Sequence, residues 1–192
     1  MNFFLFFIAA VFIIAIIVST TQANSNKNTL NEYAINGYDF ENEVDINLHT
    51  IAVDTKNEKL LIIKPYATTP INQQREILLN FEDIIGFEIS RNGETITKAS
   101  IGAPIVGGII FGVGGALIGS ILGNRKTTDN MMVDLNIQLK SFDNPIVKFP
   151  IIANSTPQIA KRRNLEELEK LCVWFKLILD KNESKTVGGK TN

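Results

Sequence analysis

The first strong pattern in the chain is an apolar run at its N-terminus. Residues 3–18 carry no charge and no strong helix breaker. With the neighbouring residues, the run approaches the length of about 20 residues that a membrane-spanning helix needs. It predicts a permanent transmembrane anchor over residues 1–23. The alternative is a secretory signal peptide, cleaved after Ala23 at the small-x-small site Thr21-Gln22-Ala23.

The polar stretch that follows predicts a linker over residues 24–49, because it is rich in Asn, Ser and Thr and begins without an apolar period. The first basic residue, Lys27, lies after the apolar run. Under the positive-inside rule this position favours a domain on the cytoplasmic side. The opposite orientation stays open, since a single lysine gives only a small bias.

Short segments of alternating apolar and polar residues then predict an antiparallel sheet. Asn92-Gly93 predicts a two-residue hairpin turn, because both central positions of such a turn need positive φ. Pro150 has no backbone N–H and predicts that the last strand lies at an edge or a bulge. The predicted strands cover residues 50–54, 59–64, 77–81, 85–90, 95–97, 133–140 and 146–152.

The last predicted element is an amphipathic helix. Asn164 is a suitable N-cap, and Glu167 completes a capping-box-like start. Apolar residues at helical spacing then form one stripe. The folded domain is therefore predicted to run from the first strand to the end of this helix, over residues 50–181. Residues 182–192 are polar and predict a disordered tail. The stripe consists of Leu165, Leu168, Leu171, Cys172, Phe175, Ile178 and Leu179.

A glycine-rich insert without any charge interrupts the strands at residues 101–123. Small residues recur every four positions, and on a helix they form ridges along which two backbones approach closely. The central glycines favour a turn, which predicts a hairpin of two short helices at residues 103–111 and 116–122. The residues predicted to pack against a membrane or another helix are Gly108, Gly112, Gly115, Ala116, Gly119 and Gly123.

Three interpretations of the insert stay open. It lies in the membrane beside the N-terminal segment, it drives self-association, or it packs on its own sheet. A phosphate-binding loop is rejected, because no GxxxxGK[ST] pattern occurs in the chain.

The composition of the chain excludes some classes of function and does not identify one. The formal net charge is −1, so no overall basic excess indicates a nucleic-acid partner. The single cysteine, Cys172, is predicted to be a small buried hydrophobe, and the single histidine, His49, an exposed polar residue. The basic run at residues 161–163 suits either anionic lipid heads or a solvated helix start. Nothing in this pattern predicts a catalytic site, a metal site or a cofactor.

Three pieces of the chain, in order, resemble a bacterial family of pleckstrin-homology-like (PH-like) proteins with a glycine-zipper insert. They are FEDIIGFEISRNGETITK at residues 81–98, GGIIFGVGGALIG at residues 107–119, and the hairpin of residues 133–152 with the helix after Asn164. The resemblance implies an α+β fold, in which a small antiparallel β-barrel or sandwich with a glycine-rich helical insert is plugged by one C-terminal helix. It implies no activity, because such folds bind lipids, peptides and proteins alike.

These observations predict a non-enzymatic, membrane-anchored, PH-like interaction or adaptor module. Its expected partners are membrane lipid and either a second copy or another protein, with no small-molecule substrate identified. The expected location is the cell membrane, with one span and with residues 101–123 as a candidate second contact; secretion after signal cleavage is the alternative. The alternative function is a membrane-perturbing protein that oligomerises through its glycine zipper.

Overall fold

Two open antiparallel sheets dominate the computed structural model, which describes residues 2–65, 69–70, 72–107 and 130–188. The first sheet has the strand order β1-β2-β3-β4, and the second has the order β7-β6-β5-β8-β9. Neither sheet closes on itself, so the predicted barrel or sandwich is a sandwich. The strands are β1 (Asn42–Ile46), β2 (His49–Asp54), β3 (Lys59–Ile63), β4 (Glu76–Asn80), β5 (Ile84–Arg91), β6 (Glu94–Ser100), β7 (Ala103–Gly107), β8 (Val133–Leu139) and β9 (Ile146–Ile152).

The C-terminal helix α2 (Gln158–Gly188) covers the core that the two sheets leave open. It packs against β1, β5 and β9. Phe175 of α2 and Phe87 of β5 are both fully buried, with ring centroids 5.5 Å apart. The predicted apolar stripe of α2 is confirmed, since all seven of its members belong to the core.

Both ends of α2 differ from the prediction. The helix begins at Gln158, six residues before Asn164, and it continues to Gly188 within the predicted tail. Pro157 marks the start, because its carbonyl accepts the first helical hydrogen bonds and proline favours the first turn of a helix. Asn164 is therefore buried inside the helix, where its amide donates to the carbonyl of Ile151 at 2.8 Å.

The N-terminal helix α1 (Asn2–Ile35) extends into the predicted linker. Its last part packs on the outer face of the first sheet through polar side chains. The amide of Asn26 donates to the hydroxyl of Thr50 at 2.7 Å, and the guanidinium of Arg75 donates to the Asn26 oxygen at 3.3 Å. Residues 24–49 thus hold the end of α1 and strand β1, and β2 is buried on both faces.

The first part of α1 is different, because its described apolar side chains are exposed. Phe6 and Phe7 are 76% and 63% exposed, and Ile13, Ile14, Ile16 and Ile17 are each more than half exposed. Within the described residues, no helix combines the length and the apolar character that crossing a membrane requires.

The hairpin at Asn92-Gly93 is confirmed, with φ values of 51° and 85° at its two residues. In β5, a register irregularity separates Ile84 from Gly86. Ile84, Phe87 and Ile89 therefore point into the core, and Ile85 is exposed.

Part of the glycine-rich insert is a strand and not a helix. The first predicted helical arm began at residue 103, yet residues Ala103–Gly107 form β7, which pairs with β6. This correction has a local reason, since Gly102 at φ 72° turns the chain back on β6 directly after Ser100. β6 is an otherwise free edge, and its backbone groups are satisfied by this pairing.

Gly86 gives the first test of this fold. A Cβ at this position would lie 2.7 Å from the backbone oxygen of Ala99 and 2.7 Å from the amide oxygen of Gln138. Because a backbone oxygen on a paired strand cannot easily move, Gly86→Ala should lower the free energy of unfolding by about 1–3 kcal/mol. Urea denaturation measures this loss. The control is Ile85→Ala on the same strand, where the side chain is partly exposed. An unchanged free energy of unfolding in Gly86→Ala would contradict the tight packing at Gly86.

Candidate functional site

A concave surface of the described residues lies between the edge strands of the two sheets, β4 and β9. We call it the edge groove. It consists of two adjoining clefts of about 330 and 620 Å³. The residues common to both clefts are Lys64, Gln73, Ile77, Val147 and Lys148.

The edge groove exists because β4 and β9 each pair with one strand only among the described residues. β4 pairs with β3, and β9 pairs with β8. An edge strand keeps a row of backbone N–H and C=O groups free for another chain.

The register identifies which groups of β4 face the groove. The N–H of Lys64 donates to the carbonyl of Arg75, and the N–H of Phe81 donates to the carbonyl of Glu58. Hydrogen-bonded and non-hydrogen-bonded pairs alternate along an antiparallel ladder. The backbone groups of Glu76, Leu78 and Asn80 therefore point away from β3, toward the free edge.

The edge of β9 is partly protected. The side-chain amide of Asn47 donates to the carbonyl of Pro150 at 3.2 Å. Pro150 itself has no N–H to offer, as the sequence predicted for an edge strand. By the same alternation, Lys148 and Ile146 direct their backbone groups to this edge. β4 thus presents the less obstructed row.

The charged residues that line the edge groove are Lys64, Lys148 and Glu76. Lys148 forms an ion pair with Asp134 at 2.9 Å and remains largely exposed. Ile77 and Val147, which pack against the core, form an apolar floor between these charges, and polar residues such as Gln73 line the sides. The groove therefore combines free backbone groups, an apolar floor and two lysines.

His49 lies in this groove, and the prediction that it is exposed was wrong. It is buried at the start of β2. One ring nitrogen, Nδ1, is 3.1 Å from the carbonyl of Asn47, and the ring centroid is 5.8 Å from that of Phe149. Burial lowers the pKa of His49, and the charge of Lys64 lowers it further, while the hydrogen bonds to Asn47 and Ile46 raise it.

A pH titration of stability tests this environment. Below its ordinary pKa of 6.5, His49 of the unfolded chain takes up a proton that the folded protein resists. The free energy of unfolding should therefore fall as the pH drops from about 7.5 to about 5.5. His49→Gln should remove much of this slope in thermal denaturation, because the chain has no second histidine. The same slope in both proteins would show that His49 is not the group responsible.

Two other features singled out from the sequence, Cys172 and the basic run at residues 161–163, lie apart from the groove, and Trp174 of α2 lines a different surface. Cys172 is buried in the core, as predicted, and burial raises the pKa of its thiol. In the basic run at 161–163, Lys161 is buried, and Arg162 pairs with Glu166 at 3.1 Å on α2. Trp174 packs against the core and borders a cavity of about 260 Å³ with Phe81 and Leu177.

The predicted glycine-zipper residues lie outside the described residues. Only the flanks of that segment are described. Gly107, at the end of β7, pairs with Thr97, and the N–H of Met132 donates to the Asn92 side chain at 2.9 Å. Both flanks therefore lie at the end of the second sheet that carries the Asn92-Gly93 turn. The predicted zipper residues that lie outside the described part of the chain are Gly108, Gly112, Gly115, Ala116, Gly119 and Gly123.

Sequence patterns identified the two strands but not the groove between them. Pro150 indicated that β9 is an edge, and that signal was used. The edge position of β4 had no such mark, because Glu76–Asn80 contains neither proline nor glycine. Which strands remain unpaired depends on the order of strands in each sheet, and this order is not written in any single segment.

Comparison with known proteins identifies the family of the chain. No curated protein and no solved structure gave a significant match to the chain. A family model described as "Glycine zipper containing PH domain" matches residues 38–153. This match confirms the resemblance drawn from the sequence. It covers more than half of the chain, from the loop before β1 to the residue after β9. The chain therefore belongs to the family of glycine zipper containing PH domains.

Proposed function

We propose that this protein is a non-catalytic interaction module held at a membrane by residues 3–18, with the edge groove as its docking surface. The observation that carries the proposal is the contrast within α1. Its first part exposes large apolar side chains, and its last part is hydrogen-bonded to the first sheet. Family membership supports the interaction module, because PH-like domains bind partners and lipids on a common scaffold.

The exposed part of α1 is apolar around its circumference. A helix that is apolar on all sides is stable only where protein or lipid covers it. In the described residues, the sheets and α2 leave Phe6, Ile13 and Ile16 uncovered. Lipid is the cover that an uncharged sequence of this kind favours. At 1.5 Å per residue, residues 3–18 would reach about 24 Å into it.

The polar contacts of α1 support retention of this segment over cleavage after Ala23. Gln22 and Asn26 lie on either side of Ala23, and their side chains are joined by a hydrogen bond of 2.7 Å in a buried position. Proteolytic cleavage favours exposed, irregular segments. A helix that continues through residue 23 and is bonded to Thr50 offers no such segment.

The position of α1 also supports one orientation of the domain relative to the lipid. Asn26 contacts the second residue of β2, and the carbonyl of Gly37 accepts a hydrogen bond from Asn57 in the turn after β2. The chain thus runs along β2 from its start to its end, so residues 3–18 extend past the start of β2. The turn between β1 and β2 would then face the lipid, and the turn after β2 would face away from it.

Fractionation of cells that express the full chain tests the anchor. The wild-type protein should remain in the membrane pellet after extraction with alkaline carbonate. The double variant Ile13→Lys and Ile16→Lys should move to the soluble fraction, because each central lysine costs about 2.5–3.5 kcal/mol on insertion scales. The matched control is Asn28→Lys with Asn31→Lys, which adds the same charges at exposed positions later in α1.

Two results would overturn the anchor. One is a soluble wild-type chain. The other is a mature protein whose first residue is Asn24, as measured by mass spectrometry of the intact chain. Release of both double variants would show that added positive charge alone disrupts membrane association. The association could then not be assigned to residues 3–18.

A further inference from the structure

We propose that the edge groove binds an extended segment of a partner protein, which pairs with β4 as an added strand and carries acidic residues. This inference rests on the proposed interaction function and names the chemistry of the partner. The free backbone groups of β4 define the occupant as a polypeptide in the extended conformation, since only such a chain matches their spacing.

β4 is the pairing strand because no strand in the described part of the chain pairs with its outward row of backbone groups. Glu76, Leu78 and Asn80 direct their backbone groups outward, whereas on β9 the Pro150 carbonyl is already bonded to Asn47. Leu78 is partly exposed on β4, and Ile146 is more than half exposed across the groove. An apolar edge of this kind is the surface that proteins usually protect with charge or proline. β4 contains no proline, and Glu76 is its only charged residue.

The charges that line the edge groove favour an extended segment with acidic residues. Lys64 and Lys148 line the groove, and the acidic residue among its described lining is Glu76. The hydroxyl of Tyr33 from α1 hydrogen-bonds to Glu76, so this carboxylate is engaged at the outer face of the sheet. A partner strand with acidic side chains on the face that Lys148 occupies and apolar side chains over Ile77 and Val147 matches this lining, because Lys148 and Val147 lie on opposite faces of β9.

The test uses the full chain in detergent micelles and three synthetic nonapeptides. One alternates valine and glutamate, one alternates valine and lysine, and one has the glutamate sequence with a central proline. The glutamate peptide should slow hydrogen exchange at the N–H groups of Glu76 and Leu78 by about tenfold or more. The lysine and proline peptides should leave both exchange rates unchanged. Protection elsewhere only, or equal protection by the proline peptide, would overturn the proposal.

Variants separate backbone pairing from side-chain contact. Leu78→Pro removes an N–H that points to the groove and does not serve the β3 ladder. It should weaken binding of the glutamate peptide by about tenfold. Leu78→Ala loses the same side chain but keeps the N–H, so it should bind more tightly than the proline variant.

Lys148→Glu keeps the proposal testable if the proline variant does not fold. This variant should favour the lysine peptide over the glutamate peptide, and an unchanged preference would refute the role of charge. Membrane pelleting of each variant distinguishes the two proposals. Loss of peptide protection with intact membrane association would refute strand binding but not the anchor. A soluble wild-type chain would refute the anchor but not strand binding.

Discussion

The structure depends on the burial of one helical stripe against two sheets that do not close. Each sheet has an apolar inner face, and neither wraps far enough to cover it. The seven apolar residues of α2 fill the open side, with Phe175 against Phe87 at the centre. Burial of an aromatic pair of this size contributes several kcal/mol, since truncating such a residue costs about 3–5 kcal/mol. Without α2, the inner faces of both sheets would be exposed to water.

The same arrangement explains why the candidate site lies where it does. α2 packs along β1, β5 and β9, and β7 covers the edge of β6. On the other side of the sandwich, β4 and the outer edge of β9 line one cleft, and none of the described strands lies between them. A closed barrel would have no such pair of edges. The groove is thus a direct result of incomplete closure, and its backbone groups are free for the same reason.

Local patterns predicted the elements well, and they failed where tertiary contacts decide. Alternation identified β8 and β9, and the Asn92-Gly93 turn was identified by its need for positive φ. Strand β1 was missed, because only two of its five side chains, Val44 and Ile46, are buried and it is fixed by pairing with β2. His49 was misjudged for a related reason, since the strand that buries it, β9, lies a hundred residues later. The groove depends on the strand order and could not be predicted from the sequence.

The polar attachment of α1 to the first sheet sets the distance between the apolar segment and the edge groove. Arg75, directly before β4, is hydrogen-bonded to Asn26. From Val18 to Asn26, α1 rises only about 12 Å. With residues 3–18 in lipid as proposed, a partner chain that leaves the same bilayer would span this distance with about four extended residues. Confinement to a shared membrane would also raise the local concentration of such a partner, so that even a weak strand pairing would be occupied. The length and rigidity of one helix would therefore select partners by their distance from the lipid, before any side chain is recognised.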